Sequence, residues 1–184
     1  GTNVLAIGLP ADSQPPFVLD MSTAAVSTGK VRTAARRGET VPAGWLFGPD
    51  GGDVTDPAAL DQGRAQLAPL GGRASWYKGF GLALACELLC STLSAAAAAP
   101  MAALDGTGSA DADIGLFFVA LKPPGLAGAQ TFTARVDAIL GALGEIPGAD
   151  GGPLDYPGSI EARVQACRAR TGIPVDRAVA EELY

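Results

Sequence analysis

The sequence has 184 residues, of which 48% are hydrophobic and 17% are charged, so it holds enough apolar material for a buried core and too little charge for a disordered chain. Its 19 acidic and 13 basic side chains give a formal net charge of −6, which excludes a generic nucleic-acid-binding protein with a basic face. One globular domain, or most of one, is expected.

The sequence contains no histidine, so a histidine-based triad, zinc site or proton shuttle cannot lie within these residues. Cys86, Cys90 and Cys167 are an odd number without C-x-x-C spacing, which indicates a reducing compartment and predicts a cytoplasmic protein. Apolar runs all stay shorter than the roughly 18 residues of a membrane span, so none is predicted.

The first elements are two strands and a helix. Val4–Leu9 is a short apolar run typical of a buried strand, and Phe17–Asp20 predicts a second strand. Ser22 or Thr23 is expected to cap a helix that continues to Arg37. Because a buried strand begins almost at the first residue, we expect that further chain precedes it.

The middle of the chain changes from polar to apolar. Residues 40–72 carry scattered glycine, proline and aspartate and predict a long surface excursion with one short helix near Pro57–Gln66. Residues 79–99 are apolar nearly all round, which predicts a helix buried on several sides in the interior or at a subunit interface.

Strand and helix patterns alternate again toward the end. Ile114–Leu121 is the clearest strand pattern, and Thr131–Leu143 has apolar residues at helical spacing. Ser159 is expected to cap a helix through Arg170, and a last short helix is expected to end at Tyr184. The predicted fold class is α/β or α+β, without repeats.

Glycines near residue 80 match a dinucleotide-binding motif only in part. Gly79-Phe80-Gly81 begins that fingerprint, but Leu84 stands where its third glycine belongs, and the sequence has no P-loop pattern. We therefore reject both signatures. Gly71-Gly72 and Lys78 at the start of the buried helix indicate either a flexible turn or a close backbone approach to an anionic ligand.

Local sequence leaves two interpretations for several polar residues. Asp20, after a strand, either binds a ribose hydroxyl or caps the following helix, and Lys30 either contacts a carboxylate or phosphate or is a solvated helix residue. Arg36-Arg37 are expected to complement the helix C-terminus. Cys86 and Cys90, four residues apart, are expected to be small core residues.

Longer phrases occur in an order that resembles one enzyme family. They are Gly1-Thr2-Asn3, Phe17-Val18-Leu19-Asp20-Met21-Ser22-Thr23, Gly29-Lys30-Val31, Ala34-Ala35-Arg36-Arg37-Gly38-Glu39, Pro42-Ala43-Gly44-Trp45, Thr55-Asp56-Pro57, Leu70-Gly71-Gly72, Lys78-Gly79-Phe80-Gly81-Leu82-Ala83-Leu84 and Gly172-Ile173-Pro174. Over essentially all 184 residues the sequence resembles the malate/L-lactate dehydrogenase family, which is unrelated to Rossmann-type enzymes. That family also includes ureidoglycolate dehydrogenase, sulfolactate dehydrogenase, diketogulonate reductase and piperideine-2-carboxylate reductase.

The resemblance implies an NAD(P)-dependent oxidoreductase that is usually a homodimer. The resemblance also implies that the cofactor lies on a non-Rossmann mixed sheet flanked by helices. Family chains are nearly twice as long, so this sequence is expected to be the C-terminal part and its sheet to be incomplete without an N-terminal segment. Residues 1–145 are expected to belong to the cofactor-binding domain, and residues 146–184 to form helices that pack on the N-terminal helical region.

The resemblance also assigns site residues by their matching positions. Thr2, Thr28, Gly29 and Lys30 are expected on the substrate side. The cofactor is expected to contact Asp20, Met21, Ser22, Tyr77, Lys78, Tyr156, Pro157, Gly158 and Ser159. No metal site is expected.

Three departures from the family pattern matter. The family's catalytic serine and histidine lie in the N-terminal part, so this chain is expected to contain no catalytic residue and not to turn over alone. Arg73–Tyr77 lengthens the segment between Gly72 and Lys78, where the family has one or two residues, and predicts a longer loop beside the cofactor. Ser159 follows Pro157-Gly158, where an acidic residue is usual.

Substrate choice is expected to depend on Lys30. The cyclic-imine reductase has a catalytic aspartate at that position, whereas a cation better suits an anionic 2-oxoacid or 2-hydroxyacid. A cyclic imine carboxylate is the alternative substrate. The alternative function is a non-catalytic fragment or pseudoenzyme that acts as a dimerisation scaffold.

Overall fold

Strands and helices mix along the chain in the computed structural model, which describes residues 3–98, 113–122, 129–149 and 151–175. The strands are β1 (Leu5–Leu9), β2 (Phe17–Met21), β3 (Leu46–Phe47), β4 (Asp53–Val54) and β5 (Gln66–Leu67). The helices are α1 (Thr28–Arg37), α2 (Ala58–Asp61), α3 (Gly72–Ser94), α4 (Ala129–Gly144) and α5 (Ser159–Thr171). The predicted mixed helix and strand class is confirmed.

The chain divides into two compact units. The first is formed by Gly1–Leu5 and Asp20–Ala120, and the second by Ala6–Leu19 and Leu121–Tyr184. Strands β1 and β2 pair with each other in a two-stranded sheet. The expected domain boundary at residue 145 stays a prediction.

The core of the first unit lies largely in the segment that was expected to be a surface excursion. Strand β3 pairs antiparallel with both β4 and β5, so that Leu46 is opposite Val54 on one side and Leu67 on the other. Leu46 is completely buried. The prediction of a surface segment over residues 40–72 is therefore wrong, because its glycines and prolines mark the turns of a small sheet. The short helix predicted within Pro57–Gln66 is confirmed by α2. The core comprises Val26, Val31, Ala34, Val41, Leu46, Ala59 and Ala65.

Helix α1 ends at the predicted residue but begins later than predicted. Ser27 caps it, accepting a hydrogen bond at Oγ from the Lys30 backbone N–H at 3.4 Å. Gly38 ends it with φ 67°, a left-handed conformation that glycine adopts without strain. Ser22 and Thr23 are not caps, because the chain after β2 first pairs with residues 68–70.

Helix α3 starts earlier than predicted and is more exposed. It begins at Gly72 instead of residue 79, with non-helical dihedral angles at Ser75. Phe80, Leu88 and Leu93 are 52%, 52% and 65% exposed, so the prediction of a helix buried on several sides is wrong within the described chain. The alternative position, at a subunit interface, stays a prediction.

Residues 114–121 form no strand, contrary to the prediction. Among the described residues no neighbouring strand pairs with this segment, and Ile114 and Phe118 are 74% and 85% exposed. A segment with high strand propensity forms a sheet only where another strand pairs with it. The apolar pattern of residues 114–121 was therefore not sufficient to predict a strand. The segment instead approaches α3, since a methyl group on Gly115 would lie within 2.4 Å of the Cys90 carbonyl oxygen.

The second unit contains the two late helices. Helix α4 includes the predicted range 131–143. Helix α5 extends to Thr171, and its cap is Gly158, with φ 100°, instead of the predicted Ser159. The predicted helix ending at Tyr184 lies outside the described residues. In the described parts of the chain, every helix is too short or too polar to cross a membrane.

Candidate functional site

The chain after β2 runs beside the residues that lead into α3. Ala24 and Pro69 form an antiparallel bridge. On its two sides the Ala25 N–H donates to Ala68 O at 2.8 Å, and the Leu70 N–H donates to Thr23 O at 2.9 Å. Asp20 and Met21 at the end of β2, and Ser22 after it, are thus tied through Thr23 to the start of α3.

Gly79 brings α3 against the same backbone. A methyl group built on Gly79 would lie 2.2 Å from Leu70 O and 2.6 Å from Leu70 N, closer than any real side chain approaches. Only glycine permits this contact. Tyr77 and Lys78 immediately precede Gly79, so two of the segments expected at the cofactor, 20–22 and 77–78, belong to one packed region of the first unit.

The expected long loop before Lys78 is helical. Residues 73–77 are the first turns of α3, interrupted at Ser75, and this corrects the loop prediction. Arg73 binds these turns to the small sheet. Its guanidinium donates a hydrogen bond to Gly51 O at 2.9 Å and lies 3.5 Å from an Asp53 carboxylate oxygen. It also lies 5.5 Å from the centre of the Phe47 ring. The added residues are therefore anchored on the β3–β4 hairpin.

Tyr77 and Lys78 are accessible in the first unit. Tyr77 is 58% exposed, and the Lys78 ammonium lies 5.9 Å from the centre of its ring. Lys78 forms no salt bridge with any described residue. An aromatic ring and a cation are thus both available to a ligand.

The described residues expected on the substrate side lie in the first turn of α1. Gly29 and Lys30 line an open groove of about 660 Å³ along that helix. Its cations outnumber its carboxylates, with Lys30, Arg36 and Arg37 against Glu39. Thr28 is in the same turn but does not line the groove, and Thr2 lies outside the described residues. None of the described residues expected at the cofactor lines this groove.

Asn3 is a residue that the sequence interpretation missed. Its Nδ2 donates to Ala83 O at 2.8 Å and to a Glu87 carboxylate oxygen at 3.1 Å, so it fixes the start of the chain to α3. Its φ of 41° is left-handed, a conformation in which asparagine is more frequent than most residues. The family phrase Gly1-Thr2-Asn3 includes Asn3, but the resemblance assigns a role only to Thr2.

The late loop, Tyr156–Ser159, belongs to the second unit. The Tyr156 hydroxyl donates to Pro15 O at 2.9 Å, and Pro157 O accepts from the Val18 N–H at 2.9 Å. Gly158 lies so close to the chain that a methyl group on it would be 2.7 Å from Pro16 O. The loop is therefore seated on the beginning of β2.

Ser159 and its neighbours stabilise the base of this loop. The Ser159 hydroxyl accepts from the Tyr156 N–H at 3.2 Å and donates to Asp155 at 2.9 Å. Hydrogen bonds from Arg163, and next from Ser159, lower the pKa of Asp155 to about 2. Burial, and secondarily the charge of Asp137, raises the pKa of Tyr156, so its phenol stays protonated as a donor. The expectation of no metal site stays a prediction; the described residues contain no cluster of three or more metal-binding side chains.

The sequence pattern of the malate/L-lactate dehydrogenase family matches residues 1–184. The chain belongs to this family. It is 32% identical to hydroxycarboxylate dehydrogenase B of Escherichia coli over 178 residues. These residues are 96% of this chain and 47% of that protein. It is 42% identical over 93 residues, 50% of this chain and 26% of that protein, to Delta(1)-pyrroline-2-carboxylate reductase of Ancylobacter novellus.

Solved structures agree with this membership. The chain superimposes on malate dehydrogenase from Entamoeba histolytica with a TM-score of 0.87 and 27% identity, covering 99% of this chain and 53% of that one. This malate/L-lactate dehydrogenase family member thus spans about half the length of the relatives that it matches over its whole extent. The family resemblance predicted from the motifs is confirmed, and the relatives are oxidoreductases.

Proposed function

We propose that this chain is part of an NAD(P)-dependent oxidoreductase that transfers a hydride between a nicotinamide cofactor and a small 2-oxoacid or 2-hydroxyacid. The carrying observation is the pairing of the chain after β2 with the chain before α3, through the Leu70 to Thr23 hydrogen bond and the Gly79 contact. This pairing supports a single cofactor-binding region that contains Asp20, Tyr77 and Lys78.

The described residues fit a dinucleotide. An exposed carboxylate at Asp20 suits ribose hydroxyls. The Lys78 ammonium, which forms no salt bridge within the described part of the chain, suits a diphosphate. Met21, Ser22 and Tyr77 of the first unit are proposed to contact the cofactor. A contact of Tyr156–Ser159 with the cofactor is a separate proposal, which rests on the family resemblance. When bound, a nicotinamide cofactor supplies or accepts the hydride. The chain's own residues bind and orient it.

The proton that accompanies the hydride needs another source. Reduction of a carbonyl leaves an oxygen that must be protonated, and the 184 residues contain no histidine. We assign that step to a serine–histidine pair outside these residues. The same outside segment is proposed to complete a non-Rossmann mixed sheet, and the working enzyme is proposed to be a cytoplasmic homodimer.

The groove on α1 supports an anionic substrate. Thr28, Gly29 and Lys30 in the first turn, together with Thr2, are proposed to contact it, and the excess of cations suits a carboxylate. The likeness to a pyrroline-2-carboxylate reductase supports a cyclic imine carboxylate as the alternative substrate. The exposed leucines of α3 support the second candidate function, a non-catalytic dimerisation scaffold.

Cofactor binding is tested by titrating the chain with NADH and with NADPH while following tryptophan fluorescence. Trp76 adjoins Tyr77 and is 50% exposed, whereas Trp45 packs against the core. Saturable quenching that survives Trp45→Phe and is lost in Trp76→Phe is the expected result. No quenching by either nucleotide in the wild-type chain contradicts the proposal and leaves the scaffold function.

Substrate choice is tested with protein made from the complete gene. Reduction of pyruvate, oxaloacetate and piperideine-2-carboxylate is compared at saturating cofactor. Faster turnover of an oxoacid is expected, and turnover of the imine alone contradicts the assignment from Lys30.

A further inference from the structure

The turn between β1 and β2 is built around one carboxylate, that of Asp137 on α4. One oxygen accepts the backbone N–H groups of Asp12 and Gln14, each at 3.1 Å. The other accepts the Ser13 N–H at 2.9 Å and the Ser13 hydroxyl at 2.5 Å. Three consecutive backbone donors that converge on one anion hold a turn in a single conformation.

The same turn leads directly to the seat of the late loop. After Gln14 the chain continues through Pro15 and Pro16, whose carbonyl oxygens face the loop. Pro15 O accepts a hydrogen bond from the Tyr156 hydroxyl at 2.9 Å, and Pro16 O would lie only 2.7 Å from a methyl group on Gly158. A displacement of the turn therefore moves an acceptor of Tyr156 and the surface on which Gly158 rests.

We propose that Asp137 is a positioning residue that holds the late loop, Tyr156–Ser159, in its binding conformation through residues 12–16. This rests on the proposed function, in which that loop contacts the nicotinamide cofactor. Asp137 lies on α4, and its carboxylate accepts hydrogen bonds from residues 12–14 of the turn. It therefore acts on the late loop through this turn. The two prolines that follow restrict the backbone between the turn and the loop, which favours transmission of the position.

The test compares Asp137→Asn with Asp61→Asn in the full chain. Asp61 is an exposed carboxylate on α2 of the first unit, whereas the late loop belongs to the second, and its hydrogen-bond partner among the described residues is Arg32 of α1. In Asp137→Asn we expect faster amide hydrogen exchange both at residues 12–14 and at residues 156 and 158–160, and a dissociation constant for NADH or NADPH raised by roughly threefold to tenfold. Asp61→Asn is expected to change neither.

Two further variants separate positioning from general stability. In a Tyr156→Phe background, Asp137→Asn is expected to change the dissociation constant by less than in the wild type, because the acceptor link through Pro15 is already lost. Ser13→Ala removes one of the four hydrogen bonds and gives a smaller change in the same direction, which keeps the test valid if Asp137→Asn does not fold.

The outcomes are distinct. Faster exchange confined to residues 12–14 overturns the proposal, as does faster exchange in both segments with an unchanged dissociation constant. Wild-type protein that binds neither nucleotide overturns the proposed function, whereas the exchange comparison then still decides whether Asp137 holds the loop.

Discussion

Gly79 of α3 lies against the backbone of Leu70, with space for a hydrogen atom and none for a methyl group. Leu70 in turn donates its N–H to Thr23 O, so this contact joins the helix to the chain after β2. The position of Lys78 relative to Asp20 and Ser22 therefore depends on residue 79 being a glycine, which has no side chain.

Gly79→Ala is expected to destabilise the chain and weaken nucleotide binding. The added methyl group meets backbone atoms that cannot rotate away, so the helix must shift, at a cost of about 1–3 kcal/mol. Urea unfolding followed by tryptophan fluorescence measures the loss. Gly81→Ala is the matched control, because Gly81 is in the same helix and an added methyl group there has no described atom within 4 Å. It is expected to stabilise by up to about 1 kcal/mol through helix propensity. Equal losses in both variants contradict the packing argument.

The sequence predicted elements that are defined by their own periodicity. Strands β1 and β2 and helix α4 follow from local apolar spacing, and Gly38 ends α1 in a left-handed conformation. The predicted burial of β1 is wrong within the described chain, because four of its five residues are exposed. Strands β3, β4 and β5 have two residues each and are too short to show any period. The strand predicted at 114–121 required a partner strand, which local sequence does not specify.

The candidate site was predicted by motif matching more than by chemistry. Family phrases selected Asp20 and Lys78, whereas local patterns alone left Asp20 as either a cap or a ribose ligand. Neither source identified Asn3 or Asp137, because both act through contacts with residues about 80 and 124 positions distant. Such contacts depend on tertiary structure and have no periodic signature.

Lys78 is expected to contribute to dinucleotide affinity without affecting the fold. Its ammonium is exposed and forms no salt bridge with the described residues, so Lys78→Gln leaves the unfolding midpoint unchanged. Loss of one charge-assisted contact is expected to raise the dissociation constant for NADH or NADPH by roughly tenfold. Lys122→Gln, also an exposed lysine, is the control and is expected to bind as the wild type does. Fluorescence titration measures the dissociation constant of NADH or NADPH for both variants. Equal constants for Lys78→Gln and Lys122→Gln would show that Lys78 does not bind the nucleotide.

The ion pair beneath the late loop predicts a pH dependence of stability. Arg163 and Ser159 lower the pKa of Asp155 from its ordinary value of 3.8 to about 2. Because the folded state has the lower pKa, the stabilisation is complete above 3.8 and is lost as the pH falls from 3.8 toward 2. Urea midpoints of the wild type and Asp155→Asn should differ at pH 5 and converge at pH 2. The difference is expected to shrink in an Arg163→Gln background, and a pH-independent difference would contradict this account.

Gly158 has a left-handed backbone conformation and also lies in close contact with Pro16. A comparison with Gly151, which has only the left-handed conformation, separates the effects of conformation and contact. Gly158 has φ 100° and a methyl group there would lie 2.7 Å from Pro16 O. Gly151 has φ 80°, and a methyl group there would have no described atom within 4 Å. Gly151→Ala is expected to cost about 1–2 kcal/mol, the strain of a left-handed alanine alone. Gly158→Ala adds a backbone collision that lifts the late loop from β2, so it should cost more by about 1–3 kcal/mol and raise the dissociation constant of the nucleotide as well. Urea unfolding and nucleotide titration of both variants measure the two effects. Similar unfolding losses, with unchanged affinity in both, would mean that the loop does not depend on its contact with Pro16.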